Sequence, residues 1–199
     1  MLRVDGRTIV GAENAVVRWF GPQFAALDPK LQALHRADSS LRGSVRIFVG
    51  SGIAGWLGRR LARRIGIPID RPERGFEVRI VHDARSLEWV RRFDDGSVVR
   101  SHFEPVGCWP SGCWRETTGP FALDLAVDVV DGGWQWRPLR ARWRGLPVPL
   151  CLLPRTRAGK RIVEGGYAFE VAFDVPLCGR ILAYSGTLSA ECGSPPATS

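Results

Sequence analysis

Lysine is nearly absent from this chain: only Lys30 and Lys160 occur, beside one methionine, two tyrosines and three histidines. Almost all of the formal net charge of +8 is therefore carried on arginine, spread along the length rather than gathered in a tail. No run approaches the roughly 20 apolar residues that cross a bilayer, and the first residues lack the apolar core of a signal peptide. The cysteines, Cys108, Cys113, Cys151, Cys178 and Cys192, form no C-x-x-C pair, and no histidine stands beside the closest two at zinc-binding spacing. A reduced, cytoplasmic protein without a metal site is the expectation. No Gly-x-Ser-x-Gly elbow, no H-E-x-x-H and no P-loop occurs, so hydrolase, metalloprotease and nucleotide-hydrolysing readings have no motif behind them.

What is present suits one globular domain. Of 199 residues 45% are hydrophobic and 24% charged, enough for a core without disulfides. Residues 1–20 read as an extension with one weak strand-like stretch at Ala15 to Phe20, residues 21–191 as a single domain, and 192–199 as a frayed tail. From Pro22 to His35 the apolar residues Phe24, Leu27, Leu31 and Leu34 recur at helical spacing. Val45, Ile47 and Val49 then form a short strand. In the following helix Ile53, Leu57, Leu61 and Ile65 share one stripe and Arg59, Arg60, Arg63 and Arg64 the other side, with Gly66 and Pro68 as the stop. Such a cationic amphipathic helix is either a lid on a core or a contact for an anionic membrane surface.

After Pro72 the period becomes two and remains so. Turn signals such as Asp94-Asp95-Gly96 and Asp131-Gly132-Gly133 separate the runs, and Phe121, Leu123, Leu125, Val127 and Val129 make the cleanest apolar stripe. Trp134 and Trp136 share a phase that Leu139, Ala141 and Trp143 do not, which predicts a bulge near Pro138 that switches faces. Gly50, Gly52 and Gly55 have the spacing of a dinucleotide-binding turn, with Asp83 near the place of a ribose-binding acid. That reading needs a parallel sheet with helical crossovers, and none intervenes between Phe76 and Leu188. The fold class expected is therefore mainly β: an antiparallel meander closing into a calycin-like or fatty-acid-binding-like barrel or half-barrel, with one or two N-terminal helices. A helix-grip fold and an open bent sheet are the competitors. No cofactor is expected.

The barrel reading makes inward residues the candidates. Non-enzymatic binding of a hydrophobic or lipid-like anionic small molecule comes first, with Arg91 and Arg142 meeting the head because each shares a strand face with apolar or aromatic neighbours. His82, Trp89, Trp136 and Phe169 would line the cavity. His35 reads as a helix-end cap and His102 as an outer-face residue. An enzyme of unassigned class using Glu116, Glu164 or Tyr184 is the alternative, since a buried carboxylate beside an arginine can serve a site. Eight tryptophans interleaved with arginines leave a third reading, a basic protein or nucleic-acid surface, ranked last because no exposed aromatic trio is evident.

Specific residues also resemble a family. Phe24 to His35, Gly43 to Arg46, the glycines and Arg-rich helix through Pro68, Trp89 to Phe93, Glu116 with Gly119-Pro120, Gly145 to Pro149, Glu164, Phe169 and Pro176 to Gly186 are similar to the bacterial family termed domain of unknown function 4166. The resemblance spans about residues 20 to 190. It implies no established activity, so Glu116, Glu164, Tyr184 and His35 stand only as motif positions. Some members are fused to a saccharopine-dehydrogenase-like domain, which implies a redox-enzyme partner for a substrate- or lipid-handling module.

Overall fold

The computed structural model describes residues 14–191. The elements in order are α1 (Ala15–Phe20), a 3-10 turn (Gly21–Ala26), α2 (Pro29–Arg36), β1 (Ser39–Val49), α3 (Gly52–Ile65), β2 (Glu73–His82), β3 (Leu87–Phe93), β4 (Val98–Val106), β5 (Cys113–Thr118) and β6 (Phe121–Val130). Then follow β7 (Gly133–Trp143), β8 (Leu146–Val148), a 3-10 turn (Leu150–Leu152), β9 (Arg155–Val163), β10 (Gly166–Val175) and β11 (Gly179–Glu191). Each strand pairs antiparallel with its neighbour, β7 pairs with β6, β8 and β9, and β11 returns to β1. The result is a closed ten-stranded antiparallel barrel with β8 beside the ring, so the meander closes fully and leaves no half-barrel edge.

Alternation decides which residues face inward. Phe76, Val78, Ile80 and His82 on β2 pair with Phe93, Arg91, Trp89 and Leu87 on β3, and the series continues through Phe103, Trp114, Leu125 and Trp134. One residue interrupts it. Between Asp124 and Leu125 the partner on β7 jumps from Arg140 to Pro138, so Leu139 is the extra residue of a bulge and the inward phase passes from Trp134 and Trp136 to Ala141 and Trp143.

The two ends of the barrel are covered differently. Asn14 caps α1 by accepting hydrogen bonds from the Val16 and Val17 amides, and Trp19 and Phe20 then reach Trp114 and Trp134. Ala15 to Phe20 is thus a helix, not the strand-like stretch the β-branched Val16 and Val17 suggest: the cap and the packing of Val16, Trp19 and Phe20 override local preference. Asp28 caps α2 through the Lys30 amide, and the Asp28 amide donates to the carbonyl of Gly132 in the β6–β7 turn. Together α1 and α2 close the end at which β2, β4 and β6 finish.

The opposite end is crossed by α3, whose close-packed stripe is Gly55, Gly58 and Ala62 rather than Ile53 with its helical partners. A Cβ on Gly58 would lie 2.0 Å from the carbonyl oxygen of Ile181, and one on Gly55 2.3 Å from that of Gly50. The glycines permit backbone to meet backbone. Leu57, Leu61 and Ile65 are half-buried against the core, while Ile53 is 73% exposed and Trp56 56% exposed. The buried charge at this end is Arg74, tied to Asp70 and to Asp94 at 2.6 Å, with Asp95 at 3.8 Å. Among the described residues no helix is long and apolar enough to cross a membrane.

A candidate ligand site in the barrel lumen

Two polar groups lie on the inward face. The first is sealed under α1 and α2. Lys160, opposite Trp134 on the β7–β9 pair, is 4% exposed, and His35 is completely buried. The Lys160 ammonium nitrogen lies 2.6 Å from His35 Nε2, 3.7 Å above the Trp134 ring and 4.6 Å above that of Trp89. His35 Nδ1 is 3.1 Å from His82 Nε2. With the Lys160 ammonium donating, His35 accepts at Nε2 and donates from Nδ1 to His82 Nε2. The remaining His82 proton then sits on Nδ1, which has no hydrogen-bond partner among the described residues, while Asp38, 3.8 Å away, accepts from the His82 backbone amide at 2.8 Å. The side-chain hydrogen bonds thus run from Lys160 through His35 and end at His82.

Burial dominates the electrostatics there. It depresses Lys160 well below the usual ammonium range. Burial, then the positive neighbours Lys160 and His82, holds His35 far below an ordinary imidazole. His82 is pushed down to about 4, chiefly by burial, with Asp38 opposing the shift. Both imidazoles are neutral at pH 7.

The second group stays open. Arg91 donates to Ser101 Oγ at 3.0 Å, Ser101 bonds Thr118 Oγ1 at 2.9 Å, and Thr118 donates to Glu116 at 3.3 Å. The Arg91 guanidinium lies 5.3 Å over the Trp89 ring, so this indole separates the open group from the sealed one. Arg91, Thr118 and Glu116 are only half-buried although their strand positions face inward, and so are Leu123, Trp136, Phe169, Val171 and Phe173 around them. Solvent thus reaches one side of the lumen, against a wall that is mostly aromatic and aliphatic. Tyr184 is buried beside this group, its phenol raised by burial and by Glu116 against the opposing pull of Arg91. Among the described residues no carboxylate lies within ion-pair distance of Arg91.

The sequence candidates divide accordingly. Arg91, Glu116, Tyr184, Trp89, Trp136 and Phe169 gather in the lumen, with Trp136 stacked on Phe103 and Phe169 on Phe76. His82 is inward but sealed. Arg142 is not in the lumen: the Leu139 bulge turns its phase outward, where it holds the buried carboxylate of Asp124 at 3.1 Å with Arg115. Glu164 is not in the lumen either, and not on a strand. It occupies the β9–β10 turn at φ 49°, exposed and away from the barrel interior. His102 is on the outer face as expected. His35 is no surface cap but a core member, and Lys160 joins the site from outside the sequence candidates; its sequence signal is a rare lysine in phase with Ala158 and Ile162.

No metal centre competes for the role, since among the described residues no three His, Cys, Asp or Glu side chains converge. A groove of about 520 Å³ runs outside the barrel along β1, β10 and β11, but its Arg180 is already paired with Asp174 and Glu170.

Fold and site together define a small antiparallel barrel with a mixed arginine and aromatic interior. The chain belongs to the family described as domain of unknown function (DUF4166), whose model matches residues 27–188. No curated protein is significantly similar to it.

Proposed function

We propose that the barrel binds a hydrophobic small molecule bearing an anionic head, without chemistry, and that Arg91 meets the head. The observation that carries this reading is an inward, half-buried guanidinium with no carboxylate partner among the described residues, set in an aromatic wall. A partly desolvated cation without a counter-charge carries a cost, and a ligand carboxylate or phosphate relieves it. Trp89, Trp136, Phe169 and Val171 supply the apolar contact along which a chain would lie.

Displacement of a dansyl-labelled fatty acid, together with native mass spectrometry of the purified protein, tests it. Saturable binding is expected, and Arg91→Ala weakens it about tenfold or more, as loss of a charge-assisted hydrogen bond should. Absence of both probe binding and any co-purified small molecule overturns the proposal. The alternative is catalysis by Glu116 and Tyr184 in the same lumen, favoured by their adjacency to Arg91. It predicts that Glu116→Gln keeps probe affinity but loses a cellular phenotype.

A further inference from the structure

The α3 end of the barrel carries an unusual surface. Ile53, Trp56, Arg60, Arg63 and Arg64 fall on the helix face opposite Gly55, Gly58 and Ala62, and all five are exposed. Because α3 packs along β11 at Gly58 and reaches Val99 of β4 at Gly66, it lies across the barrel mouth and turns this face outward along its length. The β10–β11 turn joins it: the Gly50 amide donates to Ile181, beside the turn, and that turn presents a fully exposed Leu177 at φ 67°. Three large apolar side chains thus stand free at one corner, where a lone soluble domain gains nothing from them.

The charge beside them is of one sign. Arg59, Arg60, Arg63 and Arg64 form no ion pair among the described residues: Arg60 covers the Trp56 ring at 5.9 Å, Arg63 donates to the Arg59 carbonyl at 3.4 Å, Arg64 lies 5.8 Å over the Phe121 ring at the barrel rim, and α3 contains no acidic residue. Of the acids at the same end, Asp70, Asp94 and Asp95 are engaged by Arg74 and Asp174 by Arg157 and Arg180, which leaves Glu73 exposed beside Arg74. Apolar tips followed by unpaired arginines on one exposed helix face match the interfacial region of an anionic bilayer, apolar below and phosphate above.

We propose that this end docks on a leaflet of anionic phospholipid, with Ile53, Trp56 and Leu177 entering the headgroup boundary and the four arginines meeting lipid phosphates. The proposal stands apart from the ligand reading, since no lumen residue takes part.

Flotation with phosphatidylcholine vesicles, with and without phosphatidylglycerol, tests it. The protein should float with the anionic vesicles at low salt, much less at high salt, and not with phosphatidylcholine alone. Each arginine neutralised to Gln among positions 59, 60, 63 and 64 should lower the partition coefficient about fivefold. Ile53→Ser with Trp56→Ser should lower it roughly tenfold or more. These residues are exposed, so thermal unfolding and fatty-acid probe binding should stay unchanged, which separates this outcome from failure of the lumen reading. No flotation with anionic vesicles, or flotation indifferent to the variants, overturns the proposal. So does a dimer in solution that the Ile53 and Trp56 substitutions dissolve, because the face would then belong to a second copy.

Discussion

The Lys160, His35 and His82 group, two inward strand residues and one from α2, and the Arg91, Ser101, Thr118 and Glu116 group, all on inward strand positions, are separated by a single indole, that of Trp89. What differs is the cover. The helices α1 and α2 bury the first, and desolvation drives its groups toward their neutral forms. Solvent reaches the second, and Arg91 has no carboxylate within ion-pair distance among the described residues. The same kind of polar cluster is thus a structural plug when capped and a receptive surface when not.

The largest effect that would test this contrast is truncation of the plug. Trp134 touches Phe20, Trp114, Trp136, His35 and Lys160 and is fully buried, so Trp134→Ala should cost about 3–5 kcal/mol in urea unfolding. Arg91→Ala, in the open group, should cost under about 1 kcal/mol while abolishing most probe affinity. Equal losses at the two sites would erase the distinction.

Acidity sharpens it next. An unfolded His82 takes a proton near pH 6.5 and the folded one only near 4, so the unfolded state binds more protons in that window. Stability should be full above pH 6.5 and fall by about 3 kcal/mol as pH drops toward 4. His35, shifted the same way, adds to the fall. Denaturation midpoints across this range measure it, and a flat profile contradicts the buried neutral network.

Lys160→Met addresses the alkaline side. A folded amine depressed below its unfolded value makes wild-type stability rise with pH up to the unfolded lysine value. Removing it should raise stability at pH 6 by about 1 kcal/mol or more, with the gain shrinking toward pH 10. The smallest effect belongs to Arg142→Ala. Asp124 keeps Arg115 at 2.8 Å, so stability should fall by about 1 kcal/mol and probe binding not at all.

Much of this barrel could be read from residue order because period-two alternation and turn signals are local. The stripe from Phe121 to Val129 faces inward as its pattern says, and the face switch in β7 lies one residue past Pro138. The three glycines misled only as a motif; their role is close approach of α3 to the strand ends. Arg142 was misplaced because its even phase matches Trp134 and Trp136 until the inserted Leu139 reverses it. Similarly, Ile53 follows the helical stripe of Leu57 and Leu61, yet the packing partner is the backbone of β11, which selects small residues instead. His35 and Lys160 were opaque for a different reason. Their meaning lies in a contact across 125 residues that no local pattern encodes.

The pairing of β1 with β11 joins an early strand to the final one, Arg46 facing Ser185 across the seam. Folding therefore cannot finish hairpin by hairpin: the ring is completed only when distant stretches of chain meet, a topology of high contact order that predicts slow, all-or-none refolding.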